Sequence, residues 1–236
     1  MTDERFHRTS IILGNHGMEN LHSSKIMIFG VGAVGGYAME AIARSGVGHI
    51  VLVDFDSFDK TNINRQILAL EETIGRKKVE VAKERISQIN PECKVDVFDV
   101  FADKENISEL LSVKPDFVVD AIDSLVSKCD LIEALWKNKI PFISSMGAAL
   151  KTDVSTIKIA PLSQTKNCPL ARQVRQSLRH KGVVLEDVAC VYSEEQISAE
   201  LTKGAANKIL GSLPTITAIF GLMMANYAIL YLAKAE

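Results

Sequence analysis

The sequence contains no C-x-x-C pair: its four cysteines, Cys93, Cys129, Cys168 and Cys190, are never closer together than 22 residues. That spacing excludes a zinc ribbon or a dithiol redox motif and fits free thiols in a reducing compartment. Neither sign of charge dominates, with 27 Lys and Arg against 29 Asp and Glu and a formal net charge of −2. A surface that binds nucleic acid all over is thereby excluded, while a local basic patch is not. The stretch Met1-Thr2-Asp3-Glu4-Arg5 opens with acids and leads into no apolar h-region, which predicts a cytoplasmic protein without a secretory signal. Internal repeats and low-complexity linkers are also lacking. The 236 residues, 47% hydrophobic and 24% charged, are therefore expected to form one domain over 1–236 with a sizeable core.

Charge is missing altogether from Ile209 to Ala233, a length that could span a bilayer. Pro214, Thr215, Thr217 and Asn226 interrupt the run, and a central helix of a layered α/β domain is apolar all round as well. The expectation is a buried core helix and no stable membrane insertion.

What the sequence does have is an alternation of two apolar periods, the mark of β-α-β units around a parallel sheet. Strands are predicted at Lys25–Phe29, His49–Val53, Lys94–Phe98, Asp116–Asp120 and Pro141–Ser145. Helices are predicted at Ala33–Ser45, Gly75–Asn90, where Pro91 ends the run, and Leu125–Asn138. The fold class is thus α/β, a Rossmann-like doubly wound, mostly parallel sheet with an elaborated C-terminal half. In that half Val154–Ile159 and Val188–Tyr192 read as strands of a different, more exposed piece of sheet.

Between the first strand and its helix lies Gly30-Val31-Gly32-Ala33-Val34-Gly35, a G-x-G-x-x-G in the context where glycines admit a phosphate to a helix N-terminus. Asp54, at the end of the second strand, is suited to hold a ribose diol. A dinucleotide would satisfy both features, and so would a triphosphate. Three later features favour ATP with Mg²⁺ over NAD. Arg65, in Thr61-Asn62-Ile63-Asn64-Arg65-Gln66, can grip phosphate oxygens bidentately. Gly75-Arg76-Lys77-Lys78 opens a helix with three cations. Asp123, after Asp120-Ala121-Ile122, stands at the C-terminal rim of the sheet, where magnesium binds through few carboxylates plus phosphate oxygens. Taken singly, each charge could equally be a solvated surface group.

The segment Lys166–Gly182 contains Lys166, Arg172, Arg175, Arg179 and Lys181 and no acid. Arg172, Arg175 and Arg179 fall on one helical face by their spacing, a candidate nucleic-acid surface with Tyr192 as the nearby aromatic. A solvated helix face is the alternative. Cys168-Pro169 could cap this helix, and Cys190 reads as a small core residue.

The ordered set Arg5-Phe6-His7-Arg8, Gly30 to Gly35, Asp54-Phe55-Asp56, Asn62 to Gln66, Gly75 to Lys78 and Asp120 to Asp123 resembles the ubiquitin-activating E1-like superfamily, the ThiF, MoeB and HesA group. The resemblance implies adenylation, with Gly30, Gly32, Gly35, Asp54 and Asp56 lining the nucleotide, Asn62, Arg65 and Lys78 on the triphosphate, and Asp123 on magnesium. It further implies that Arg8 reaches into a neighbouring subunit's ATP site, making the active unit a homodimer. Arg44-Ser-Gly-Val-Gly48, Ile89-Asn-Pro-Glu-Cys93, Asn138-Lys-Ile-Pro141 and Val191-Tyr-Ser-Glu-Glu195 resemble the TcdA (CsdL) branch, whose members are tRNA threonylcarbamoyladenosine dehydratases, and the likeness fades from 197 to 212. That branch implies a tRNA substrate and ATP-driven activation of the threonylcarbamoyl carboxylate at adenosine 37. A sulfur-transfer protein partner stays open, as does adenylation of a ubiquitin-like sulfur carrier.

Overall fold

In a computed structural model, which describes residues 3–197 and 210–234, seven strands form one sheet in the order β3-β2-β1-β4-β5-β7-β6. The strands are β1 Lys25–Phe29, β2 His49–Val53, β3 Lys94–Phe98, β4 Phe117–Asp120, β5 Phe142–Ser145, β6 Ile157–Pro161 and β7 Ala189–Ser193. All pairings are parallel except β6 with β7. The helices are α1 His7–Ser23, α2 Gly35–Arg44, α3 Lys78–Ile89, α4 Ile107–Leu110, α5 Leu125–Lys137, α6 Pro169–His180 and α7 Pro214–Ala233.

Alternate residues of each strand point to opposite faces, and both faces are dry. Ile26, Ile28, Ile50, Leu52, Phe117 and Val119 pack beneath α1, α2, α3 and α7. Met27, Phe29, Val51, Val53 and Val118 pack beneath α4, α5 and α6. Burial on both sides explains why the central strands read as unbroken apolar runs.

The last two strands correct the sequence reading. β6 and β7 are not a separate sheet: β7 pairs with β5 through Ser144↔Cys190 and Ser145↔Val191, and Cys190, Val191 and Tyr192 are buried. β6 closes the edge, and its first predicted residues, Val154–Thr156, form a 3₁₀ turn instead. The N-terminal helix α1 is not legible in the sequence, because Gly14, at which it kinks, and Gly17 interrupt its periodicity. The divergent stretch 197–212 falls largely outside the described residues.

The charge-free run becomes α7, long and apolar enough to cross a membrane by length and composition. In this fold it packs against α2, α1 and the sheet, with Ile216, Phe220, Met224, Ala225 and Ala228 buried. Gly221 sits so close to α2 that a β-carbon there would lie 2.3 Å from the Val34 carbonyl oxygen.

Beneath the junction of β4 and β5 lies a fully buried ion pair. Lys128 Nζ donates to Asp120 Oδ2 at 2.7 Å and to Ser144 Oγ at 3.2 Å, while Ser144 Oγ donates to the same carboxylate at 2.6 Å. Removing one member would leave a bare charge in a dry interior. Lys128→Met is accordingly expected to cost about 3–5 kcal/mol, and Lys128→Met with Asp120→Asn distinctly less, both measured by urea unfolding.

Candidate active site

The strand order reverses between β1 and β4, and a doubly wound sheet opens a crevice at the C-terminal ends of such strands. Two backbone turns meet there. Gly30 has φ +87°, and a β-carbon on it would lie 2.8 Å from the Ala121 carbonyl oxygen; one on Gly35 would lie 1.8 Å from the Gly30 carbonyl oxygen. Only glycine allows this approach, so the turn after β1 and the turn carrying Asp123 touch. Asp120 fixes the second turn by accepting the Ile122 N–H through Oδ1 at 3.1 Å.

Asp54 ends β2 beside the glycine turn and is 9% exposed. Its Oδ2 accepts the Val31 N–H at 2.6 Å and its Oδ1 the Asp56 N–H at 2.9 Å. Burial pushes the Asp54 carboxyl above the ordinary aspartate range, although the Lys78 ammonium and these N–H groups pull the other way. The Lys78 side chain is almost completely buried, and its Nζ donates to Asp56 Oδ2 at 2.9 Å. The Lys78 N–H also donates to the Asp56 carbonyl at 3.0 Å, anchoring the start of α3 to the turn after β2. An anion arriving over the glycine turn would compete with Asp56 for this ammonium.

The other members of the set are less tightly held. Arg65 Nη1 donates to the Thr61 carbonyl at 2.9 Å and to Asn64 Oδ1 at 2.8 Å, leaving the rest of its fork without a protein partner among the described residues. Asn62 closes the preceding 3₁₀ turn by accepting the Asp59 N–H at 3.1 Å, and its Nδ2 has no protein partner among the described residues. Asp123 is exposed at the rim and makes no ion pair among the described residues. No cluster of three metal-ligating side chains occurs among the described residues. A magnesium ion would fit through Asp123 alone, with phosphate and water oxygens completing its shell.

Several expectations change. Of the three cations at Gly75-Arg76-Lys77-Lys78, only Lys78 turns toward the site; Arg76 pairs with Glu84 at 2.5 Å and Lys77 with Asp99 at 2.8 Å. Tyr192 offers no stacking face, because it is 2% exposed and its hydroxyl donates to Glu194 at 2.9 Å; burial and that carboxylate push its pKa up to about 12. On α6, Arg172 and Arg179 are exposed, whereas Arg175 is half-buried and donates through Nη1 to the Thr165 carbonyl at 3.0 Å. Arg175 is therefore a brace for the loop before the helix. Cys168 does cap α6, accepting the Ala171 N–H at 3.4 Å, and lies buried.

Arg8 stands apart from the rest. The ring of Phe6, two residues before Arg8, lies 3.3 Å from a β-carbon position on Gly46, so the start of α1 sits at the end of the sheet where β2 begins. The five residues of β2, at about 3.3 Å each, separate it from the rim of its own chain. Sequence alone assigns no role to Lys128 or Lys151, since a lysine reads as surface. Both are buried, and Lys151 Nζ donates to the carbonyls of Asn167 at 3.2 Å and of Glu195. The Glu195 carboxylate in turn accepts the N–H groups of Thr152 at 2.8 Å and Asp153 at 3.0 Å, tying the loop after β5 to the end of β7.

Comparison with known proteins agrees with this geometry. The ThiF family model matches residues 6–236. The chain is 38% identical to a tRNA threonylcarbamoyladenosine dehydratase of Bacillus subtilis, over 98% of this chain and 95% of that protein. It superposes with a TM-score of 0.91 on a crystal structure of the E. coli tRNA N6-threonylcarbamoyladenosine dehydratase, TcdA, in complex with ATP, at 37% identity over 97% of this chain and 93% of that one. A molybdopterin-synthase adenylyltransferase of Haemophilus influenzae is 31% identical over 80% of this chain and 79% of its own length. A glycine turn, a buried carboxylate and a buried lysine meeting at the switch point of a sheet, in a chain matched almost end to end, lead to one placement: this protein belongs to the ThiF family.

Proposed function

We propose that the chain is an ATP-dependent tRNA threonylcarbamoyladenosine dehydratase, working as a single adenylation domain over 1–236 in the cytoplasm. The observation that carries this reading is the extent of the likeness. It runs past the nucleotide site into the second half, covering 98% of the chain against the Bacillus subtilis dehydratase, whereas the Haemophilus influenzae molybdopterin-synthase adenylyltransferase matches 80%. A sulfur-transfer protein partner has no feature of the site in its favour.

In this reading the glycine turn and the N-terminus of α2 receive the phosphates, Asp54 accepts the ribose hydroxyls, and Asn62, Arg65 and Lys78 surround the triphosphate. The carboxylate of the threonylcarbamoyl group attacks the α-phosphorus, pyrophosphate leaves with the bridging oxygen, and a mixed anhydride with AMP forms. Anion meets anion in that step, so Lys78 and Arg65 lower the barrier by facing the charge that builds up. Mg²⁺ held by Asp123 would supply further neutralisation. Ring closure by the adjacent carbamoyl group then expels AMP, a unimolecular step favoured by proximity within the substrate. Water is lost overall, and no thiol takes part, in keeping with Cys168 being buried as the cap of α6.

Incubation with ATP and a tRNA bearing threonylcarbamoyladenosine, read by nucleoside mass spectrometry, should show loss of one water from that nucleoside and AMP as coproduct. Lys78→Ala and Asp123→Ala are each expected to lower turnover by about 100-fold or more. Asp123→Ala should leave thermal unfolding unchanged, because that side chain is exposed.

Homodimerisation is supported by two uncovered apolar strips, Ile11 and Ile12 on α1, exposed by 71% and 82%, and Leu222 and Leu230 on α7. The distance of Arg8 from its own rim fits action on a partner's nucleotide. Mixing inactive Arg8→Ala with inactive Lys78→Ala protein should then restore part of the activity after subunit exchange, since one hybrid site keeps both side chains.

Arg172 and Arg179 are the exposed α6 arginines positioned to meet tRNA phosphates. Replacing both with alanine is expected to weaken tRNA binding and to flatten the slope of log K against log salt by about one for each phosphate no longer engaged. ATP affinity should be unaffected in the same variant.

A further inference from the structure

Among the described residues one buried side-chain polar atom has no hydrogen-bond partner, the Oε1 of Gln66. Native interiors pair nearly all such atoms, so an orphan calls for a reason. The residue is held firmly. It is 7% exposed, its N–H donates to the Asn62 carbonyl at 2.9 Å, and its carbonyl accepts the Ala69 N–H at 2.9 Å. Its Nε2 also lacks a protein partner among the described residues, and unlike Oε1 it is not sealed off. That amide nitrogen lies 3.8 Å from a β-carbon position on Gly32, and the amide carbon 3.9 Å.

Gly32 is the second glycine of the G-x-G-x-x-G turn, the position at which the absence of a side chain lets backbone approach a phosphate. The amide therefore sits at the wall of the phosphate site with a donor on the open side and an acceptor shut in behind it. Turned over, it would set a carbonyl oxygen against phosphate oxygens.

We infer that Gln66 is a further catalytic residue: its Nε2 donates to a non-bridging oxygen of the α-phosphoryl group as the substrate carboxylate attacks. During the step a carboxylate oxygen bonds to the α-phosphorus, the bond to the bridging oxygen breaks, and pyrophosphate leaves with the electron pair. Gln66 neither gains nor loses a proton. Its neutral donor strengthens as charge accumulates on the phosphoryl oxygens, without binding the ground-state triphosphate as strongly as Lys78 or Arg65. The inference rests on the adenylation reading of the site.

Gln66→Met keeps the length of the side chain and removes an amide that no protein group satisfies, so its melting temperature should equal or exceed that of the unaltered protein. Its kcat with ATP and the modified tRNA should fall by about 100-fold, while ATP Kd stays within about threefold. Gln66→Glu, which faces the phosphate with an acceptor and a negative charge, should lose turnover at least as completely. A lower melting temperature for Gln66→Met would make the amide structural and overturn the inference, as would a kcat within about threefold of the unaltered protein. If the unaltered protein forms no AMP from ATP and the modified tRNA, the adenylation reading itself has failed, and the inference with it. Melting data alone do not produce that result.

Discussion

Everything at the rim depends on one close approach, the turn after β1 pressed against the turn after β4. Gly30 and Gly35 make it sterically possible, and the Lys128–Asp120 pair beneath makes it permanent. Asp120 is the hinge between interior and surface: one carboxylate oxygen faces the buried ammonium and Ser144, the other accepts the Ile122 N–H in the turn that leads to α5. An ion pair in a dry interior gains little net free energy over a well-packed apolar substitute. Here it fixes where Asp123 stands relative to the glycine turn, a specification that apolar packing alone would leave looser.

Much of this is legible in the sequence because it depends on local rules. The glycine spacing, the carboxylate ending the second strand and the apolar runs of β1, β2 and β4 each follow from what a neighbouring peptide plane or sheet face allows. What escapes depends on partners far along the chain. The adjoining cations Arg76, Lys77 and Lys78 look alike in sequence, yet Glu84 and Asp99 claim two of them and leave one for the site. The spacing of Tyr192 and Arg175 permits a surface position for both; the pairing of β7 with β5 buries the first, and Thr165 engages the second. No local pattern announces that Lys128 or Lys151 is inside, since a buried lysine is identified only by the acceptors around it.

The site combines rigid and yielding parts in a way that suits adenylation. Asp54, Lys78 and the glycine turn are bound to one another by short hydrogen bonds through Val31 and Asp56. Arg65, Asn62 and Asp123 are held by the loop or by nothing among the described residues, so they are free to close on a ligand. In the proposed adenylation, the preorganised groups would receive the nucleotide and the looser ones would respond to it.

The uniform apolarity of α7 has a consequence for biosynthesis. Its partners α2, β4 and β5 leave the ribosome long before it does, and until residues 214–233 appear, the sheet face bearing Ile26, Ile28 and Phe117 has no full cover. For that interval the nascent chain exposes a sticky wall beside unpaired strand edges, the condition under which polypeptides aggregate or enlist holdase chaperones. The helix cannot nucleate the fold around itself; it must arrive late and seal it, so yield in the cell should be sensitive to how quickly translation passes through the second half of the message.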